Sequence, residues 1–141
     1  MKYLHQYDQQ DEDLVPYDQH LARAKIPKKE GVSGKILHAL CLRIGKLGLD
    51  VTSIALDIGL TTRTMQRRLQ EENTTFVQLR DYVRFHYALK YLMEDGLSVE
   101  TVTKLLDFSD RSSFTIAFTR WTGLSPGAFY KLYRDKSRFF C

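Results

Sequence analysis

The chain has 141 residues, of which 43% are hydrophobic and 12% aromatic, and only three are proline. This length and composition allow a compact folded unit with its own core, and they exclude a low-complexity linker protein. The formal net charge is +4, but it is unevenly distributed. From residue 31 onward there are 16 Lys and Arg against 11 Asp and Glu, whereas residues 1–30 carry 5 against 6. A basic body of this kind is typical of a phosphate-facing surface.

Cysteine usage and hydropathy indicate a reducing compartment and no membrane segment. Cys41 and Cys141 lie far apart in the sequence and cannot be interpreted as a disulfide framework. No apolar run approaches the roughly 20 residues that a transmembrane helix needs. The N-terminus is polar where a signal peptide would be apolar. We therefore expect a soluble, cytoplasmic protein with no membrane partner.

Residues 1–30 are rich in Asp, Gln, Tyr and Lys, and Pro16 and Pro27 interrupt any long helix. We interpret this segment as an N-terminal tail or linker that is poorly ordered. The alternative is an arm that docks on the body or on a partner, and the three tyrosines of the segment are the only features that favour it.

The segment that follows predicts a supporting helix. Ser33 can cap it, apolar side chains follow helical spacing as far as Leu47, and Gly48 is positioned to end it. His38 and Cys41 lie one turn apart on this helix. A structural zinc site needs four ligands and no second pair follows, so we interpret this pair as part of a packed helix face.

A helix-turn-helix pattern occupies about residues 51–72. A short apolar helix reaches Gly59, which can adopt the left-handed turn, and Thr61 can then cap a second helix. Met65 and Leu69 are four residues apart on that second helix, as expected for its inward face.

The opposite side of this second helix is polar and carries Arg63, Gln66, Arg67 and Gln70. Gln can pair bidentately with adenine and Arg with guanine in the major groove, and each good pair is worth about 1 to 3 kcal/mol of discrimination. Hydroxyls near the helix N-terminus, which suit phosphates or base edges, are those of Thr61, Thr62 and Thr64. The alternative is a solvated polar face with no partner, which the basic balance and a second copy of the motif disfavour.

A long amphipathic helix is predicted over about residues 75–93, starting at Thr74 or Thr75 and stopped by Gly96. At 1.5 Å per residue, its roughly 19 residues span about 28 Å. Adjacent major-groove segments on one face of DNA lie about 34 Å apart. A linker helix of this length can therefore hold two recognition helices at nearly that separation.

The helix-turn-helix pattern recurs at about residues 98–121, where we expect Ser109 to cap a helix that runs to Arg120. With Phe114, Phe118 and Trp121 pointing inward, the residues expected to face DNA are Arg111, Ser112, Thr115, Ile116, Thr119 and Arg120. An outward isoleucine is unusual: Ile116 either presses on a thymine methyl or is partly covered by a neighbouring helix. We expect this second unit to contribute less specificity than the first.

From about Val32 to Arg134, these motifs resemble the DNA-binding domain of the AraC/XylS family of bacterial transcriptional regulators. The marks of the resemblance are the two turns, the linker-helix spacing Arg84, Ala88 and Leu92, and the run Phe108-Ser109-Asp110, Phe114, Phe118, Trp121, Gly123 and Ser125-Pro126. The resemblance implies an all-α fold of about seven helices within residues 31–141, in which a long linker helix joins two helix-turn-helix subdomains. It further implies an activator or repressor that binds double-stranded promoter DNA, with RNA polymerase as a candidate second partner. By similarity, base reading falls on Arg63, Gln66 and Arg67 and on Arg111, Ser112, Thr115 and Ile116.

Several positions depart from the family pattern, chiefly in the second unit. Asp107 stands where the second turn usually has glycine, and aspartate tolerates the left-handed region better than most residues. Thr103 replaces a small alanine, and Ile116 stands where arginine is common. Family members also commonly carry an effector-binding domain of about a hundred or more residues, which 30 N-terminal residues cannot form. We therefore expect a fragment or a stand-alone member that lacks this domain.

An enzyme is not expected, because no nucleophile with a base, no metal cluster and no phosphate-cradling glycine loop is apparent. We accordingly predict no catalytic residues, no metal and no cofactor. The alternative function is a helical protein–protein interaction module of DNA-binding ancestry, which would use exposed tyrosines or the surface around Ile116.

Overall fold

The structure is a computed structural model that describes residues 15–137. Within that range the chain is all-helical, and its helices are α1 (Tyr17–Arg23), α2 (Gly31–Arg43), α3 (Val51–Asp57), α4 (Thr62–Glu71), α5 (Phe76–Leu89), α6 (Val99–Leu105), α7 (Arg111–Thr122) and α8 (Pro126–Ser137). The predicted all-α class is confirmed. The expected seven helices correspond to α2–α8, and α1 is additional.

The long helix α5 lies at the centre of the fold. Helix α2 packs on α5, and α3 and α4 pack on α2 and on each other to form the first unit. The second unit, α6 to α8, packs around the end of α5, where α6 and α8 both contact its last turn. One hydrophobic core runs through both units and includes the fully buried side chains of Leu40, Ile54, Leu79 and Phe114. The two units therefore share a scaffold.

The central helix begins where the sequence predicts but ends differently. Thr75 caps it, since its hydroxyl oxygen accepts a hydrogen bond from the Gln78 amide at 3.2 Å. Over Lys90–Glu94 the helix widens into a π-helical turn, so it reaches about the predicted end but does not stay α-helical in its last turn. Leu92 and Met93 within this turn are both buried.

The N-terminal segment is not a loose tail throughout. Residues 1–14 lie outside the described residues, but for residues 15–30 the expectation of poor order is wrong. Tyr17 and His20, three residues apart on α1, are 3% and 1% exposed, and the ring centroid of Tyr17 lies 5.7 Å from that of Tyr133 on α8. Burial of these two aromatic side chains stabilises the docked arm, and Pro16 precedes the helix, where proline is tolerated.

Helix α2 is shorter than predicted. It begins two residues before Ser33 and ends five residues before Gly48, which leaves Leu47 exposed in the following loop. Ser33 therefore does not cap the helix. Its amide and hydroxyl donate hydrogen bonds to Glu72, at 3.1 and 2.7 Å, so a carboxylate from the end of α4 caps α2 instead.

Candidate nucleic-acid interface

Helices α3 and α4 form the first helix-turn-helix unit as predicted. Gly59 has φ +73°, the left-handed conformation that this turn requires. Thr61 is extended, and its hydroxyl oxygen accepts a hydrogen bond from the Thr64 amide at 3.1 Å. Thr61 is thus confirmed as the cap of α4.

The packing of α4 decides which of its side chains reach solvent. Met65 and Leu69 are 0% and 1% exposed against the core. As a result, the predicted stripe lies at the surface, and its exposed members are Arg63, Gln66, Arg67 and Gln70. At the start of the helix Thr61 is exposed, whereas Thr62 and Thr64 are half-buried. The structure therefore brings these seven predicted residues together on one helix.

The second unit accommodates its departures from the family pattern. Asp107 has φ +59°, so it adopts the left-handed turn as expected. Thr103 is buried, and its hydroxyl donates to the Val99 carbonyl at 2.8 Å, which satisfies the polar atom within its own helix. Both replacements are compatible with the helix-turn-helix geometry.

The cap of α7 differs from the prediction. Asp110 rather than Ser109 caps the helix, because its carboxylate accepts a hydrogen bond from the Ser113 amide at 2.7 Å. That hydrogen bond lowers the pKa of Asp110 from its ordinary value. The carboxylate lies directly before Arg111, so the start of α7 carries charges of both signs.

Helix α7 also presents the predicted face to solvent. Phe114 and Phe118 are fully buried, whereas Ile116 is 67% exposed, so the interpretation that a neighbouring helix covers Ile116 is wrong for the described chain. The other predicted side chains comprise half-buried Thr115 and exposed Arg111, Ser112, Thr119 and Arg120. Trp121 is half-buried and stacks on Phe85 of α5, with ring centroids 5.3 Å apart.

One predicted DNA-facing cation is already paired within the protein. The guanidinium of Arg120 donates to the carboxylate of Asp81 on α5 at 2.9 Å. Because 39 residues separate them, no local sequence signal indicates this ion pair.

The two recognition helices differ in their available positive charge. In the described part of the chain, no ion pair engages the exposed arginines of α4, namely Arg63, Arg67 and Arg68. On α7, Arg111 directly follows the acidic Asp110, and Arg120 is paired with Asp81. Among the described residues, α4 therefore carries more unpaired positive charge than α7.

Arg84 joins the central helix to the second turn. It is 7% exposed, and it donates hydrogen bonds to the carbonyl of Leu106 at 2.8 Å and to that of Asp107. Its guanidinium lies 4.0 Å from the centroid of the Phe108 ring. Desolvation, with a smaller contribution from nearby Arg80, lowers the pKa of Arg84 to about 10. The turn before α7 is thus attached directly to α5.

Among residues 15–137, no group of three or more His, Cys, Asp and Glu side chains could hold a metal ion. None of the described helices has the length and apolar character needed to cross a membrane.

A family model described as a helix-turn-helix domain matches residues 54–131, more than half of the chain. The chain belongs to the AraC/XylS family. Membership in this family of helix-turn-helix transcriptional regulators implies DNA binding, and the matched proteins indicate no enzyme family.

Two curated relatives illustrate the similarity of this AraC/XylS-family chain to known regulators. It is 33% identical over 103 residues to the ornithine utilization regulator of Pseudomonas aeruginosa, covering 73% of this chain and 30% of that protein. It is 30% identical over 86 residues to the virulence regulon transcriptional activator VirF of Shigella flexneri, covering 61% and 32%. The chain therefore spans about a third of the length of either relative.

Solved structures of regulators match the fold. The crystal structure of the transcriptional regulator CdpR from Pseudomonas aeruginosa has a TM-score of 0.65 and 31% identity, covering 72% of this chain and 32% of that one. A DNA-binding transcriptional dual regulator from Escherichia coli K-12 has a TM-score of 0.65 at 19% identity, covering 81% and 98%, and shares the fold.

Proposed function

We propose that this AraC/XylS-family chain is a sequence-specific regulator that inserts α4 and α7 into adjacent major-groove segments of promoter DNA. The observation that carries the proposal is the orientation of α4. Because Met65 and Leu69 face the core, the side chains left to read bases are those of Arg63, Gln66, Arg67 and Gln70. Thr61, Thr62 and Thr64 lie at the helix N-terminus, where hydroxyls and the helix dipole favour phosphate.

The exposed face of α7 differs chemically from that of α4. Ile116 is the most exposed apolar side chain of α7, and a thymine methyl is its natural contact in a major groove. Arg111, Ser112, Thr115 and Thr119 are its polar neighbours on the helix, and Arg120 already donates through one nitrogen to Asp81, which offsets its positive charge. We therefore infer that α4 supplies most of the specificity and that α7 mainly adds contact area and register.

Selection of bound sequences from a random pool of duplexes tests the proposal. Two short conserved motifs about one helical turn apart are the expected result, with guanine or adenine enriched where α4 binds. A single motif would contradict engagement of α7, and no enrichment at all would contradict sequence-specific binding.

Exposed apolar side chains on the first unit favour a second candidate function. Leu56 and Leu42 are 74% and 62% exposed, which suits a protein contact. This contact would belong either to a pure protein–protein interaction module or to a regulator that also binds RNA polymerase.

A salt titration on duplex DNA separates the two candidate functions. DNA binding should weaken linearly in log K against log salt, by about 0.9 units for each phosphate contact neutralised. Binding to the duplex that is insensitive to salt, or absent, would favour the interaction module.

A further inference from the structure

The loop between α2 and α3, residues 44–50, connects the first unit to the second. The Gly45 amide donates to the Leu105 carbonyl at 3.1 Å. The Leu49 amide donates to the carboxylate of Asp107 at 2.8 Å, across 58 residues of sequence. The carbonyl of Leu49 accepts from Arg80 of α5 at 3.4 Å, and the Leu49 side chain is fully buried. Both the amide and the carbonyl of Leu49 are therefore hydrogen-bonded to residues outside the loop, two residues before α3 begins.

Asp107 lies in the turn of the second unit, between α6 and α7. Its carbonyl accepts from the buried Arg84, so its backbone is attached to α5. Its backbone is left-handed, at φ +59°, and its carboxylate accepts from Leu49 of the first unit. One residue thus joins the turn before α7 to the loop before α3.

We propose that Asp107 is a positioning residue, which sets the orientation of α4 relative to α7 through its hydrogen bond to Leu49. A carboxylate acceptor makes a stronger bond to an amide than a neutral acceptor does. The glycine common at this turn in the family has no side chain to make it. The inference rests on the proposed function, because orientation matters only if both helices read one duplex.

Two substitutions distinguish the effect of the hydrogen bond from that of the turn conformation. Asp107→Gly removes the acceptor while placing at φ +59° the residue that adopts this conformation most easily, so the variant should fold. Asp107→Asn keeps an oxygen that can accept from Leu49, and asparagine also tolerates the left-handed region. Asp107→Asn is therefore the matched control.

The first experiment needs no DNA. Nitroxide labels at Glu71 on α4 and Ser112 on α7, both exposed, are introduced as cysteines in a Cys41→Ala, Cys141→Ser background. Double electron–electron resonance should give one narrow distance distribution for the unsubstituted chain and for Asp107→Asn. A broader or displaced distribution is expected for Asp107→Gly. An unchanged distribution in Asp107→Gly would overturn the proposal.

The second experiment measures how affinity depends on the spacing of the two DNA motifs. Duplexes obtained by selection are lengthened by one base pair between the motifs. The unsubstituted chain and Asp107→Asn should lose about tenfold in affinity, comparable to one mismatched base pair. Asp107→Gly should bind the original duplex more weakly but show a spacing penalty at least about threefold smaller.

The two experiments distinguish failure of the positioning role from failure of the proposed function. An equal loss by Asp107→Gly at both spacings would mean that Asp107 only stabilises the fold, and it would overturn the positioning role. If the unsubstituted chain binds no selected duplex, the proposed function fails, and the label distances alone decide whether Asp107 orients the two helices.

Discussion

The hydroxyl of Ser33 in the first turn of α2 donates a 2.7 Å hydrogen bond to Glu72, the residue that directly follows α4. The same carboxylate accepts from the Val32 and Ser33 amides at 3.2 and 3.1 Å. It thereby supplies two acceptor oxygens and a negative charge to the start of a helix whose own preceding residue, Glu30, makes no side-chain cap. The end of the first recognition helix is thus attached to the helix that supports it.

Glu72→Gln should lower the free energy of unfolding by about 0.5 to 1 kcal/mol near neutral pH, because the cap loses its charge. The Ser33 hydroxyl is the main cause of the lowered pKa of Glu72 in the folded chain. A depressed carboxyl pKa stabilises the fold above the unfolded-state value, near 4.5, and this stabilisation disappears as the pH falls through the folded-state value. Urea denaturation at pH 7 and pH 3 measures both effects.

Glu71→Gln is the control, because Glu71 is the exposed neighbour on the same helix. If both variants have the same stability at both pH values, Glu72 does not act as a cap.

Trp121→Ala should destabilise the second unit by about 2 kcal/mol. This is less than the roughly 3 to 5 kcal/mol typical of a fully buried aromatic, because Trp121 is only half-buried, although its ring lies near those of Phe85, Phe108 and Phe118. Phe118→Ala removes a fully buried ring and should cost more. Thermal unfolding followed by circular dichroism ranks the two variants, and the reverse order would contradict the described packing.

Docking of α1 should weaken in mild acid. His20 lies between Phe129 and Tyr133, with ring centroids 5.1 and 5.3 Å away, and burial, with a smaller effect of Arg23, lowers its pKa. Since the undocked histidine titrates near 6.5, stability is complete above that pH and declines as the pH falls towards the lowered value. Hydrogen exchange of α1 amides at pH 7.5 and 5.5, corrected for intrinsic rates, measures the change.

His20→Phe should abolish this pH dependence, because phenylalanine packs on the same rings without ionising. His38→Gln, at an exposed position of α2, should retain it. Persistence of the pH dependence in His20→Phe would assign it to another group.

The helix-turn-helix units could be predicted from sequence because their signals are local. Gly59 and Thr61 define the first turn within three residues, and the spacing of Met65 and Leu69 identifies the buried face of α4. The Glu72 cap, the Arg120–Asp81 pair and the Asp107–Leu49 bond span 39 to 58 residues, so no local pattern indicates them.

The docking of α1 was only the alternative interpretation of the sequence, for a related reason. The sequence shows two prolines and a mixed polar composition in residues 1–30, whereas the aromatic surface that receives Tyr17 and His20 lies on α8. The DNA-contacting roles of the exposed residues on α4 and α7 remain predictions.

The central claim, that α4 reads bases, is tested most directly by comparing Arg67→Ala with Arg68→Ala on a selected duplex and on random DNA. Both arginines are exposed on α4, but Arg67 lies on the face opposite Met65 and Arg68 lies on its flank. Arg67→Ala should cost about 1 to 3 kcal/mol on the selected duplex, with a much smaller loss on random DNA, whereas Arg68→Ala should weaken both by similar factors. Equal losses on both DNAs for Arg67→Ala would contradict base reading by this helix.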